Sequence, residues 1–260
     1  MHALIDADII CYEIGSLKNP EEDLPLPWPL IEDRIWERVN GIIEAVDADT
    51  YTGYLTGEGN YRNEIATILP YKGNRKRSER PFWFYATYNY LVTEVGFKVT
   101  TGYEADDGIA IDGWGLRDEC VICSKDKDLD QVPGWHFNWD NFAKKGKGLY
   151  YVTDWEASRS LHQQLLTGDS VDNILGLFGV GAKSAYVRAL DNCETAEEMT
   201  QKVLEAYRQR YGAWGLTAMM ENAALLRLLK SEEEAEQWQE YLRKKGASSK
   251  ADSSIVLLPH

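Results

Sequence analysis

Long apolar runs are missing from this sequence. None approaches the roughly 20 residues that a helix needs to cross a bilayer, so no membrane association is expected. Cysteine is scarce, with four residues in 260. Cys11, Cys120, Cys123 and Cys193 form no zinc pattern, and the Cys120/Cys123 spacing falls within an apparent strand instead of opening a helix. Buried free thiols in a reducing compartment are the reading, and a cytoplasmic location is expected. A basic N-terminal segment is also lacking: Met1-His2-Ala3-Leu4-Ile5 meets Asp6 at once, so no signal peptide is expected. Basic residues are in deficit, 28 Lys and Arg against 42 Asp and Glu, for a net charge of −14. Taken as a sum, that charge argues against a polyanionic partner. No internal repeat is present.

The distribution of charge changes that conclusion. Tyr71 to Arg80 holds five basic residues against one acid, and Lys144, Lys145 and Lys147 form a second cluster. Acids gather around 104–130, at 169–172 and in Glu232-Glu233-Glu234. Acidic clusters that gather metal beside basic strips that gather phosphate give this pattern. With 44% hydrophobic and 27% charged residues, the chain is an ordinary globular sequence, long enough for one large domain or two small ones.

Strand and helix signals alternate over the first 155 residues. Ala3-Leu4-Ile5 reads as a buried strand, followed by a Pro-rich loop (Pro20, Pro25, Pro27, Pro29). Ile31, Ile35, Val39, Ile42, Ile43 and Val46 repeat at helical spacing. Tyr51–Leu55 reads as the next strand, and Pro81 starts a helix that Gly96 ends. After the short strand 97–100, Glu104 opens a helix. Further strands are expected in the apolar run from Val121 and at 135–139 and 149–152, and Thr153-Asp154-Trp155-Glu156 has capping-box spacing for a helix that stops near Gly168. This alternation predicts an α/β fold with a mainly parallel sheet. From about 155 onward the pattern is helical, including an apolar helix within 214–230; the tail 247–252 is polar and loose, with Ile255–Leu258 able to dock. The expected units are 1–155, 156–215 and 216–260.

Carboxylates stand where elements begin or end. Asp6 and Asp8 follow the first strand; Glu104, Asp106 and Asp107 start a helix; Asp126 and Asp128 follow Val121–Ser124; Asp169 and Asp172 sit in Gly168-Asp169-Ser170-Val171-Asp172-Asn173. On a strand, Asp126 and Asp128 would share one side; on a turn that geometry is looser but the two charges stay close. Four segments of this kind predict one acidic pocket. An all-oxygen donor set without a His/Cys cluster favours Mg²⁺ or Mn²⁺ over zinc, and two such ions activate water and stabilise an in-line phosphodiester displacement. A glycosidase pair would use two acids, not seven or more. Among the blander readings, Asp8 is a helix N-cap, Asp107 stands behind the ligands without touching an ion, and Asp130 is a turn residue.

Gly176-Leu177-Phe178-Gly179-Val180-Gly181-Ala182-Lys183 follows directly, with the composition of a helix–hairpin–helix that grips a nucleic-acid backbone without reading sequence. Lys72, Arg75 and Lys76 are placed to contact phosphates, and the aromatics from Phe82 to Tyr90 can stack on bases or pack in the core.

Taken in order, Leu4-Ile5-Asp6-Ala7-Asp8, Tyr71-Lys72-Gly73-Asn74-Arg75, Glu104-Ala105-Asp106-Asp107, Ser124-Lys125-Asp126-Lys127-Asp128 and Gly168–Asn173 with Gly179-Val180-Gly181-Ala182-Lys183 resemble the flap endonuclease / 5′–3′ exonuclease family, closest to bacteriophage members such as those of T7-like phages. The resemblance covers residues 2 to about 190. It implies a PIN-like nuclease core plus a helix-3-turn-helix (helix–hairpin–helix) region, acting as a monomer on DNA with a 5′ end, flap or nick, or on RNA–DNA hybrid, in replication, primer removal or DNA degradation beside replication proteins. By position it implies that Asp6, Glu104, Asp106, Asp107, Asp126, Asp128, Asp169 and Asp172 are metal ligands or hold metal-bound water, and that Lys72 and Arg75 contact the scissile phosphate. A duplex grip by Gly179, Gly181 and Lys183 follows, in many members with K⁺. One departure is plain: members often carry an Asp a few residues before the aromatic-Arg pair, where Thr56 to Arg62 has none, so that either Glu58 compensates or one metal site is weaker. The segment Arg77–Tyr90 is short for a threading arch. A PIN-type ribonuclease and a non-catalytic junction-binding protein are the alternative functions.

Overall fold

The computed structural model describes residues 1–75, 80–146 and 148–251. Lys76, Lys147 and the expected docking segment Ile255–Leu258 lie outside the described residues. In chain order the elements are β1 (His2–Asp6), α1 (Ala7–Gly15), α2 (Trp28–Ala45), β2 (Thr50–Thr56), α3 (Tyr61–Ile65), α4 (Phe84–Thr93), β3 (Lys98–Thr100), α5 (Ala105–Leu116), β4 (Cys120–Cys123), β5 (Gly134–Phe137), α6 (Trp139–Lys145), β6 (Leu149–Val152), α7 (Asp154–Thr167), α8 (Ala185–Ala189), α9 (Ala196–Tyr211), α10 (Gly215–Leu226) and α11 (Glu232–Ala251).

The sheet order is β3-β2-β1-β4-β5-β6, parallel except for the edge strand β6. β1 is central, which explains its unbroken apolar run: both faces are covered. Ala3 and Ile5 pack against α1, α2 and α4 through Ile10, Ile35, Val39 and Leu91, while Leu4 faces Ile109 and Ala110 of α5. The chain leaves β1 toward β2 and returns on the other side at β4. Their carboxyl ends therefore open onto a topological switch point, where open α/β sheets bind ligands. A third apolar cluster joins α7, α8 and α9 to α10 through Leu165, Val187, Tyr207 and Leu225, so residues on either side of 215 share one core.

Differences from the expected elements are local. Pro81 does not open α4; its carbonyl accepts from Phe84 N–H at 3.0 Å, and the helix starts at Phe84. α10 stops at Leu226, so Leu228 and Leu229 lie beyond it in an extended strap. Helical backbone continues to Ala251 through the segment expected to be loose. β4 ends at Cys123, and a 3₁₀ turn (Lys127–Gln131) follows.

Candidate active site

Asp6 closes β1 and is buried; its Oδ2 accepts from Ser124 Oγ at 2.7 Å, just past the end of β4. The same hydroxyl accepts from Asp126 N–H (2.9 Å), and Asp126 caps the 3₁₀ turn by accepting from Asp128 N–H (2.9 Å). Asp126 and Asp128 thus lie on a turn, not on one side of a strand. Asp126 is exposed at the mouth of the site and Asp128 half-buried. Asp8, in the first turn of α1, accepts from Thr56 N–H (3.1 Å) at the end of β2. Glu104 is the N-cap of α5, and Asp106 occupies the first turn. A side-chain oxygen at an N-cap and acids in the first turn suit the helix dipole, so α5 forms here for reasons that also present carboxylates to the crater.

These groups feel one another. Burial, then Asp8, raises Asp6; burial, then Asp6 and Asp126, raises Asp106; burial also raises Asp8. Asp128 is pushed up to about 7 by burial, then by Asp126 and Asp169. By these mutual effects the acids fall into two sets, or lobes, Asp6, Asp8, Glu104 and Asp106 in one and Asp128, Asp169 and Asp172 in the other, with Tyr71 and Lys72 joining Glu104 to Asp172. Asp126 acts on both. Carboxylates raised by mutual repulsion and burial fit a cation, which would relieve both costs. Among the described residues no three acid, His or Cys side chains already stand grouped as an ion requires. Glu104 and Asp172 are instead engaged by protein cations.

Those cations come from the basic turn. Lys72 Nζ bonds Glu104 Oε1 and lies 3.7 Å from Asp172, while Arg75 Nη2 donates to Asp172 Oδ1 at 2.6 Å. Lys72 holds a left-handed φ of 54°, uncommon for a non-glycine residue, and its N–H is tied to the Asp172 carbonyl (2.9 Å). Asn74 to Ser170 O (2.6 Å) and Asn173 to Pro70 O (2.8 Å) complete the seam. Tyr71 Oη sits 2.7 Å from both Glu104 and Asp172. Burial opposes ionisation of Glu104, but Lys72 and Arg62 outweigh it, and its pKa is lowered. A groove of about 710 Å³ runs from Asp8, Glu104 and Asp126 past Lys72, Arg75 and Arg80 to Tyr12, Tyr85 and Tyr88.

The 168–184 loop follows the acids. Glycine is required at 168 and 176, both at positive φ: a Cβ on Gly168 would lie 2.2 Å from Ile174 O, and one on Gly176 2.2 Å from Gly168 N. Asp169 accepts from Val171 N–H (2.7 Å) and Asp172 N–H (3.2 Å), folding the loop on itself. Gly179, Gly181 and Lys183 are exposed. The helix after them, α8, has only five residues, shorter than the hairpin motif suggests.

Asp107 departs from the expected ligand set. It is fully buried, and Arg62 grips it in a fork (2.5 and 2.9 Å). Its oxygens also accept from Leu229 N–H (3.1 Å) and Glu104 N–H (3.2 Å). It organises α5, α3 and the strap, and its lone pairs face protein donors instead of an ion. Glu58 is exposed and does not take the expected compensating place; Asp8 bonds the Thr56 amide there instead. Asp130, expected in a turn, accepts from Tyr150 Oη (2.8 Å). Tyr71 and the Arg62 fork carried no signal beyond their motifs.

Carboxylates gathered at the carboxyl edge of a parallel sheet, under a basic turn, are built on the fold of the 5′ nucleases. That fold is shared with the bacteriophage T5 D15 flap endonuclease, solved with DNA and metal ions, at a TM-score of 0.51 and 16% identity over 86% of this chain and 98% of that one. No family model matches the chain. In sequence it is 30% identical over 171 residues to a 5′–3′ exonuclease of Mycoplasmopsis pulmonis (58% of this chain, 56% of the relative). It is 31% identical over 140 residues to a 5′–3′ exonuclease of Halalkalibacterium halodurans (48% and 46%). The chain spans about half the length of these curated relatives. In sequence the chain is thus similar to 5′–3′ exonucleases over part of their length, and in fold to a flap endonuclease.

Proposed function

We propose that the protein is a divalent-metal-dependent 5′ nuclease that hydrolyses phosphodiester bonds near a 5′ end, flap or nick. One observation supports this reading: acids from four chain segments act on one another beside Lys72 and Arg75. Asp6, Asp8, Glu104 and Asp106 would hold one ion, Asp128, Asp169 and Asp172 a second, with Asp126 between. When bound, two Mg²⁺ or Mn²⁺ ions supply an activated water and neutralise charge on the phosphate oxygens.

The protein does the rest. Lys72 and Arg75 leave the carboxylates to bind the scissile phosphate, exchanging one anionic partner for another. Tyr12, Tyr85 and Tyr88 line the groove as surfaces for unpaired bases, and Arg80, stacked over Phe84 (4.6 Å) and Tyr85 (4.9 Å), adds a cation to that wall. Gly179, Gly181 and Lys183 offer backbone N–H groups and a charge to the duplex backbone, with K⁺ at this hairpin as a further part of the reading. The basic turn and hairpin explain how a chain of charge −14 binds DNA. RNA in RNA–DNA hybrid is a second substrate of the same chemistry.

The test is a 5′-labelled flap and a nicked duplex incubated with Mg²⁺ and, separately, with EDTA. Mg²⁺-dependent release of short 5′ products is expected. Binding without any metal-dependent cut would leave the junction-binding alternative standing.

A further inference from the structure

Two glutamines are buried where the helix α7 packs on the 3₁₀ turn that carries Asp128. Gln131 ends that turn, and Gln164 lies in the last turn of α7. An uncharged amide in such a place costs free energy unless its donors and acceptor are met. Here they are met in series. Gln131 Nε2 donates to Leu226 O (3.0 Å) and to Gln164 Oε1 (2.7 Å), and Gln131 Oε1 accepts from Leu228 N–H (3.3 Å). Gln164 Nε2 then donates to Asp128 Oδ1 (2.5 Å).

The direction of this chain is forced from its far end. A backbone carbonyl at 226 can only accept and a backbone N–H at 228 can only donate, so the Gln131 amide has one orientation. Its NH₂ must then meet the Gln164 carbonyl, which turns the Gln164 NH₂ toward the carboxylate. Asp128 is always offered a donor. One of its oxygens is pinned, and among the described residues Oδ2 carries no hydrogen bond. The other lobe is tied to the same strap: Arg62 donates to Leu225 O (2.8 Å) and Arg227 O (3.1 Å) while gripping Asp107 and lying 3.9 Å from Glu104. Residues 225–229 are therefore the common backing of both lobes.

We infer that Gln164, oriented by Gln131 from the strap, is a positioning residue that holds the Asp128 carboxylate in the geometry its cation needs. The inference rests on the metal-dependent reading above, and it assigns a role to two residues that the acidic motifs do not contain.

The experiment uses the full chain without DNA. Mn²⁺ is titrated and free Mn²⁺ followed by electron paramagnetic resonance, for wild type, Gln164→Met, Gln131→Met and the double variant. Methionine keeps the volume and removes the amide. For Gln164→Met, the weaker of two Mn²⁺ affinities is expected to fall about 10- to 100-fold, the range for a lost partner of a metal ligand. The thermal midpoint and duplex binding in EDTA should stay close to wild type. The double variant should bind Mn²⁺ no more weakly than Gln164→Met, because the two act as one unit. Gln131→Met also strips the strap of its partner; if it does not fold, Gln164→Met, which leaves the strap contact intact, decides alone. Unchanged Mn²⁺ affinity in Gln164→Met, or a fall in melting without a change in affinity, overturns the relay. A wild type that takes up no Mn²⁺ overturns the metal-dependent reading itself, a distinguishable failure.

Discussion

Asp107 and Asp126 differ by what surrounds them, although both are acids inside acidic motifs. Arg62 and two backbone N–H groups take up the Asp107 carboxylate, so its removal breaks a buried pair and strands a guanidinium. Asp107→Asn is expected to cost about 3 kcal/mol of unfolding free energy, read from the denaturant midpoint. If Asp107 were an ion ligand, that midpoint in EDTA would hardly move. Asp126 stands exposed between the lobes and acts on Asp6, Asp106 and Asp128. Asp126→Ala should weaken uptake of both ions and lower cleavage on the order of a hundredfold, leaving duplex binding in place. Loss of one Mn²⁺ site alone would show that Asp126 serves a single lobe. The family resemblance put both residues among the ligands or the holders of metal-bound water. It could not separate them, because the Arg62 fork is a contact across 45 positions and no local pattern encodes it.

The turn 71–75 and the loop 168–176 behave as one device. In the structure the turn neutralises Glu104 and Asp172, where an ion would otherwise do so. Lys72→Ala is therefore expected to tighten Mn²⁺ binding to the DNA-free protein several-fold while slowing cleavage by about a hundredfold. Calorimetry and a cleavage assay would show the two effects moving in opposite directions, and weaker Mn²⁺ binding would reject the competition. Element existence was legible from periodicity: β1 from its apolar run, α2 from the Ile31-to-Val46 spacing, α7 from its capping box. Element ends were less so. Asp126 and Asp128 continue an apolar run, yet the side chain of Asp126 caps its own turn and stops the strand, a local hydrogen bond that competes with the ladder. The seam between Asn74 and Ser170 was invisible for the same reason as the fork, being made across 96 positions.

At the scale of the molecule, the crater stores repulsion that pH releases. Asp6, Asp8, Asp106 and Asp128 all have raised pKa values, Asp128 about 7. An acid raised by folding binds its proton more tightly folded than unfolded. Stability then rises as pH falls from about 7 toward 4 and is lost as pH climbs through the folded value. Glu104, lowered by Lys72 and Arg62, and the imidazoles of His136 and His162, lowered by burial, work the other way, but the four raised acids outnumber them. Without divalent ions, the melting midpoint should be higher near pH 5.5 than near pH 8, on the order of 5 °C, and Mg²⁺ should close the gap at the higher pH. A midpoint that climbs steadily with pH in EDTA would contradict this electrostatic picture. The four acidic segments announced the crater in the sequence. The two-lobe arrangement did not show there, since it depends on how far apart β1, α5 and the 168–176 loop come to rest.

The strap at 225–229 also sets a clock. Arg62 reaches carbonyls 163 and 165 positions further along the chain, and Asp107 an amide 122 positions further along. A ribosome adding about 5–20 residues per second needs on the order of ten seconds to travel from Asp107 to Leu229. Until the chain reaches that segment, the Arg62 guanidinium and, once they are made, the two glutamines have no backbone there to hold. The emerging chain is thus born with its acids unsupported, and the acidic crater matures only as the last helices are released.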